Sequence, residues 1–271
     1  MIRFLILAGY FELTMYLQLS GKLNQYINLH YSYLAYISMF LSFVLALVQL
    51  IIWVKQMKIH SHLSGFWAKV ASIFLLCIPL FVGLFFPTVT LDSQTVSAKG
   101  YHFPVAAGSS KEIQQDEGTT TQYLKPDTSS YFTKSAYESE MKQAAKKYVD
   151  KKVIQVTTEN YMEVMEVIYD YPDQFAGKTI ELTGFVYNDP NNKESQFLFR
   201  FGIIHCIADS GVYGLLTTGA PQHFENNTWI HAKGTLSIEY HKQLKQSLPV
   251  LHVTDCQTIT QPDNPYVYRV F

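Results

Sequence analysis

The pattern of apolar and polar positions changes character twice along the chain. Three long apolar blocks, Ile2–Leu19, Tyr31–Val54 and Phe66–Pro87, fill the first third and hold one acidic residue, Glu12. A helix needs about 20 mostly apolar residues to cross a bilayer core, where it satisfies its own backbone. The blocks therefore predict transmembrane helices at about 2–19, 31–54 and 66–87. The first block has a rival reading as a cleaved signal peptide, with Arg3 and the run Phe4–Phe11 as its charged and apolar parts. Glu12 follows that run at once, and no small-x-small site comes next, so a span is the stronger reading.

Beyond residue 87 the apolar clusters thin out. Residues 88–130 are rich in Ser, Thr, Gly and Gln, and Gly108–Thr121 reads as flexible. Lys134–Lys152 carries a weak helical stripe of Ala136, Met141, Ala144, Ala145 and Val149, which predicts a solvated spacer helix. Residues 88–154 together read as a flexible, partly helical linker. Asn160–Tyr171 is a stronger helix, with Asn160 as its cap, Met162, Val164, Met165, Val167 and Ile168 as its packing face, and Pro172 as its stop.

From Gly177 the period becomes two. Five runs follow: Thr179–Asn188, Gln196–Cys206, Val212–Thr218, Thr228–Tyr240 and Leu248–Ile259. Asp189-Pro190-Asn191-Asn192 supplies turn chemistry between the first two. Five strands with a break after the third suit a small Greek-key barrel of the OB type, with Gly184 allowing a bend. The expected architecture is thus a membrane-anchored α plus all-β protein: three spans (1–87), a linker (88–154) and a five-stranded OB-like β-barrel (155–271). An SH3-like barrel or open sandwich is the alternative.

Charge sets the orientation. Lys55, Lys58 and Lys69 surround the second loop, whereas the first loop, Ser20–His30, has only Lys22. Basic residues stay on the cytoplasmic side, so the expectation is a multi-pass cell-membrane protein with its N-terminus inside and its C-terminal domain extracellular. Residues 1–87 have five Lys or Arg against one acid, and the remainder has sixteen against twenty-one. A mildly acidic exported part excludes the basic stripe of a nucleic-acid binder.

Several features resemble the bacterial YcgQ-like family, whose members are named as permease subunits. They are Pro-Asp-Gln-Phe-Ala-Gly-Lys (172–178), Gly184-Phe185-Val186, the strand from Phe201 to Cys206, Ile207-Ala208-Asp209, Gly214-Leu215-Leu216, and Pro262-Asp263-Asn264-Pro265-Tyr266-Val267-Tyr268. The three apolar blocks fit the family's plan as well. Where the family has two adjacent cysteines, this chain has His205-Cys206. The resemblance implies association with a separate polytopic permease in the lipid bilayer.

Candidate chemistry gathers at His205, Cys206 and Asp209, read as a binding site at a strand end. If Phe197, Phe199, Phe201 and Ile203 face the core, Arg200 and Cys206 face away from it. In the last run His252 and Cys256 share the off-core parity. His205, Cys206, His252 and Cys256 are then candidate ligands for a transition metal such as zinc, without zinc-finger spacing. A Cys206–Cys256 disulfide and a plain turn at Asp209-Ser210-Gly211 stand beside that reading. Glu12 is the intramembrane candidate, since a carboxylate within a span is costly unless paired or wet. No P-loop, G-x-G-x-x-G, G-x-S-x-G or H-E-x-x-H occurs, so catalysis is not expected. The expected role is a permease-associated accessory protein that binds a ligand or its partner. Metal delivery is the rival, and a cell-envelope enzyme a weaker one.

Overall fold

The computed structural model describes residues 1–57, 65–86, 88–101, 134–190, 196–241 and 246–270. They form two units, Met1–Thr90 and Leu91–Phe271. The loop lysine Lys58 and the flexible stretch Gly108–Thr121 lie outside the described residues.

In the first unit the apolar blocks are helices α1 (Ile2–Leu19), α2 (Ser32–Val54) and α3 (Phe66–Phe85). At 1.5 Å per residue they are about 27, 35 and 30 Å long, against a hydrocarbon core of about 30 Å. All three have the length and composition of membrane spans, α1 being the least apolar. The protein is membrane-associated through them. Helix α1 packs on both of the others. A Cβ on Gly83 would sit 2.9 Å from the Leu13 methyls, so glycine is what lets α1 and α3 approach. Phe11 meets Phe43 of α2 at 5.3 Å. Pro79 lies inside α3, and Tyr10 donates its hydroxyl to the Leu76 carbonyl at 2.9 Å. Pro79 has no N–H for the Leu75 carbonyl, and the Tyr10 hydroxyl finds its acceptor on the carbonyl next to it, across the helix pair.

The second unit is built on a mixed seven-stranded sheet. Its strands are β1 (Val153–Gln155), β2 (Thr179–Asn188), β3 (Gln196–Ile203), β4 (Gly211–Thr218), β5 (Trp229–His241), β6 (Gln246–Thr258) and β7 (Val267–Tyr268). β2 is antiparallel to β3 and to β5, β3 to β4, and β5 to β6, while β4 runs parallel to β6. These pairings follow one another around a cycle that returns to β2. β1 and β7 add parallel pairings to β2 and β3. The five expected runs coincide with β2–β6 to within a few residues. β3 stops at Ile203, so His205 and Cys206 fall in the turn beyond it. β1 and β7 carry too few residues for alternation to reveal them.

Packing departs from the period-two picture. All eight residues of β3 are buried, on both faces. One face carries Leu198 and Arg200, the other Phe197, Phe199 and Phe201, because successive side chains alternate. Gly214 on β4 makes this density possible: a Cβ there would lie 1.9 Å from the Leu198 carbonyl oxygen. Helix α6 (Tyr161–Asp170) is almost wholly buried. Asn160 precedes it, but its side chain turns back, accepting from the Thr157 N–H and donating to the Gln155 carbonyl. The short helix α7 (Pro172–Phe175) restarts the chain at the proline that stops α6.

The linker reading is corrected. Helix α4 (Ser93–Lys99), capped by Asp92, buries Val96 in the domain core. Helix α5 (Lys134–Val149) buries Met141, Ala144, Ala145 and Tyr148 in the same core and packs on α6. The weak stripe was real, and small alanines gave it little hydrophobic signal. A fragment of residues 91–271 should therefore melt cooperatively at a higher temperature than one of residues 155–271. The shorter fragment loses roughly 5 kcal/mol of apolar burial, at about 1.5–3 kcal/mol per large side chain. Thermal unfolding followed by circular dichroism checks this, and equal melting temperatures would contradict it.

Candidate functional site

The turn after β3 is organised by one carboxylate. Asp209 accepts from the backbone N–H groups of His205 and Cys206 at 3.0 Å each, and its Oδ2 lies 2.7 Å from His205 Nδ1. A short 3₁₀ turn, Ile207–Asp209, sits between the partners and makes a capping box with Cys206. Asp209 is thus committed to holding the turn and aiming the imidazole, and more than half of the His205 side chain is exposed. Such a contact fixes the ring's orientation, as it does behind metal-bound histidines.

The other two candidates lie elsewhere. On β6, His252 Nε2 is 2.5 Å from Glu239 Oε1 and 2.8 Å from Ser237 Oγ, while its Nδ1 meets Thr218 Oγ1 at 2.9 Å. Hydroxyl and carboxylate share one ring nitrogen, which is not the relay of a Ser–His–acid triad. Cys256 faces Ala232 across β5, and burial, with Asp255 beside it, pushes its thiol pKa up. Among the described residues no three His, Cys, Asp or Glu side chains come together as a metal-holding group. The proposed set of His205, Cys206, His252 and Cys256 is therefore not assembled. Parity placed residues on a face but said nothing of their separation. Cys77, Cys206 and Cys256 are free cysteines, so the disulfide alternative is not formed either. Glu12 is exposed on α1.

Three charged residues that sequence reasoning passed over are the buried ones. Arg200, expected to face away from the core, is 3% exposed because both faces of β3 are covered. It donates to the carbonyls of Pro265, Asn264 and Tyr266 and to Thr158 Oγ1, over the rings of Tyr161 and Trp229. Arg269 Nη1 lies 3.5 Å from Glu166 Oε1, both deeply buried. Burial pushes the Glu166 carboxyl up to about 7; Arg269 opposes this, while Asp170, Glu140 and Glu163 reinforce it. A charge inside an otherwise apolar run, as in Phe-Leu-Phe-Arg-Phe, was the available signal for Arg200.

The opposite face of β2 and β3 is aromatic. Phe185 stacks on Phe201 and Phe197 on Phe199, with Tyr187 beside them. Residues 91–101 lie across it. Tyr101 packs against Phe197, Phe199 and Tyr187 and donates to Asp189 Oδ2 at 2.6 Å. Leu91 N–H reaches the Tyr266 hydroxyl, Ser93 N–H reaches Asn227 Oδ1, and Lys99 Nζ reaches Ser210. This strap leaves the aromatic face closed.

Three helices of membrane-spanning length followed by a mixed sheet domain define a membrane-anchored α+β protein. Residues 2–102 match the DUF1980 N-terminal domain and residues 131–269 the DUF1980 C-terminal domain. The chain is 67% identical, over the whole of both chains, to a Streptococcus mutans protein named "Putative two-component membrane permease complex subunit". It is 40% identical, again end to end, to the Bacillus subtilis "UPF0703 protein YcgQ". The chain belongs to this DUF1980, or YcgQ, family. Among solved structures, asparaginyl-tRNA synthetase from Pyrococcus horikoshii aligns over 34% of this chain and 23% of its own, at 15% identity and a TM-score of 0.21, too slight a likeness to bear on the fold.

Two outcomes follow from the site's geometry. Asp209→Ala should cost about 1–2 kcal/mol in urea unfolding, as the loss of a cap does. Unchanged stability would show the turn to be held by its backbone alone. Glu166 titrates near 4.5 when unfolded and near 7 when folded, so between those values the folded state binds the extra proton. Its contribution to stability is full below pH 4.5 and is lost as pH rises towards 7. Glu166→Gln should flatten the unfolding midpoint across that window, and an unaltered slope would contradict the assignment.

Proposed function

We propose that this chain is an accessory subunit of a membrane permease complex, working by binding and assembly rather than turnover. The observation that carries the reading is end-to-end 67% identity to a protein named as such a subunit. Three spans are what an integral subunit needs. The cycle of β2, β3, β4, β6 and β5 supports reading the second unit as an OB-like barrel, a fold that binds through strand faces and loops. With the aromatic face closed by the strap, the binding surface in this state is the loop rim, including the turn of His205, Cys206 and Asp209. Lys55, Lys58 and Lys69 support an inside N-terminus and an extracellular barrel.

Purification of the full chain from its native membrane should bring down a polytopic membrane protein in fixed ratio. In a cysteine-free background, Gln222→Cys, at an exposed site, should react with an impermeant maleimide in intact cells. Absence of a polytopic companion would overturn the subunit reading. Protection of the cysteine until cells are broken would overturn the orientation.

A further inference from the structure

We infer that Glu12 is the intramembrane contact point for the partner, meeting a basic side chain on one of its transmembrane helices. This rests on the accessory-subunit reading. Glu12 lies ten residues into α1, about 15 Å along a helix about 27 Å long, near the middle of a span-length helix. Tyr10, Phe11 and Leu13 turn towards α2 and α3. Leu5, Met15, Tyr16 and Leu19 are exposed, and Glu12 lies among them at helical spacing. The outward stripe of α1 is therefore apolar with one carboxylate at its middle. Among the described residues of this unit, Arg3 and Lys22 stand at the two ends of α1, Lys55 caps the end of α2 and Lys69 lies in the first turn of α3. Arg3 lies nine residues before Glu12, about 14 Å away along the axis, and Lys22 lies beyond the end of α1, where it already donates to the Tyr16 hydroxyl. Among the described residues Glu12 has no hydrogen-bond or ion-pair partner. Intramembrane carboxylates are costly against lipid, face other protein, and pair with cations. Charge complementarity thus selects the occupant of the stripe: a helix presenting Lys, Arg or His at mid-depth, with apolar residues above and below to cover Leu5 and Met15.

The test places a photo-reactive amino acid at Met15 in the full chain, in native membranes. Illumination should give an adduct with a polytopic membrane protein. The cross-linked peptide should map to a transmembrane helix that carries a basic residue. Glu12→Leu, recovered in membranes at the wild-type level, should lower adduct yield about tenfold or more, whereas Glu12→Asp should keep most of it. An adduct undiminished by Glu12→Leu, an adduct with a second copy of this chain or with lipid only, or a cross-linked helix without a basic residue would each overturn the inference. If the partner still co-purifies in those cases, the accessory role stands and only this contact is lost. If wild-type chain brings down no polytopic protein at all, the accessory role itself fails.

Discussion

Arg200 carries a permanent positive charge into a strand that is buried on both faces, and three separate segments converge on it. Desolvating a guanidinium costs several kcal/mol, so the surrounding structure must return charge-assisted hydrogen bonds. It does so with main-chain carbonyls of residues 264–266 and the Thr158 hydroxyl ahead of α6. Those carbonyls fix the course of the chain into β7, which pairs with β3. Tyr266, held there, offers its hydroxyl to Leu91 and so secures the start of the strap. Beyond β7, Arg269 reaches Glu166 on α6. An apolar residue at position 200 could fill the space but could not organise these carbonyls.

The helices of the first unit were legible because length and composition alone decide them. The five central strands were legible because alternation and turn residues bound them. The cycle they make is a matter of long-range register, such as Leu182 opposite Ala232 and Leu216 opposite Val250, which periodicity does not encode. Alternation alone places Arg200 on a solvent face, whereas β3 has Phe199 packed under Tyr101 on one side and Arg200 sealed by Tyr161 on the other. At the candidate site, the closeness of His205, Cys206 and Asp209 followed from sequence proximity. His252 and Cys256 failed as their companions because a shared face does not bring side chains within bonding distance.

The two units answer to different solvents. In the first, the Tyr10 hydroxyl takes a carbonyl of the neighbouring helix as its acceptor, since lipid offers it none. In the second, polar groups fasten covering segments over an apolar surface: Tyr101 to Asp189, Lys99 to Ser210. The strap is only eleven residues, but without it Phe197 and Phe199 would face water, and large exposed aromatic patches invite association. Closing that face keeps the sheet domain from presenting adhesive surface to any neighbour but a matched one.

The parallel pairing of β4 with β6 has a kinetic consequence. Parallel neighbours cannot be joined by a tight hairpin, and here β5 intervenes in the chain between them. Contacts of such sequence separation form late and slow the search for the native state. Residues 264–269, which complete the setting of Arg200 and Glu166, are synthesised after all of the cyclic strands. The consecutive strands β2, β3 and β4 can pair while the chain is still emerging, but the cycle closes only with β6 and the setting of Arg200 is complete only when the final segment arrives. Until then the buried charge of Arg200 lacks its carbonyl partners, so the partly made sheet is held by its local pairings alone.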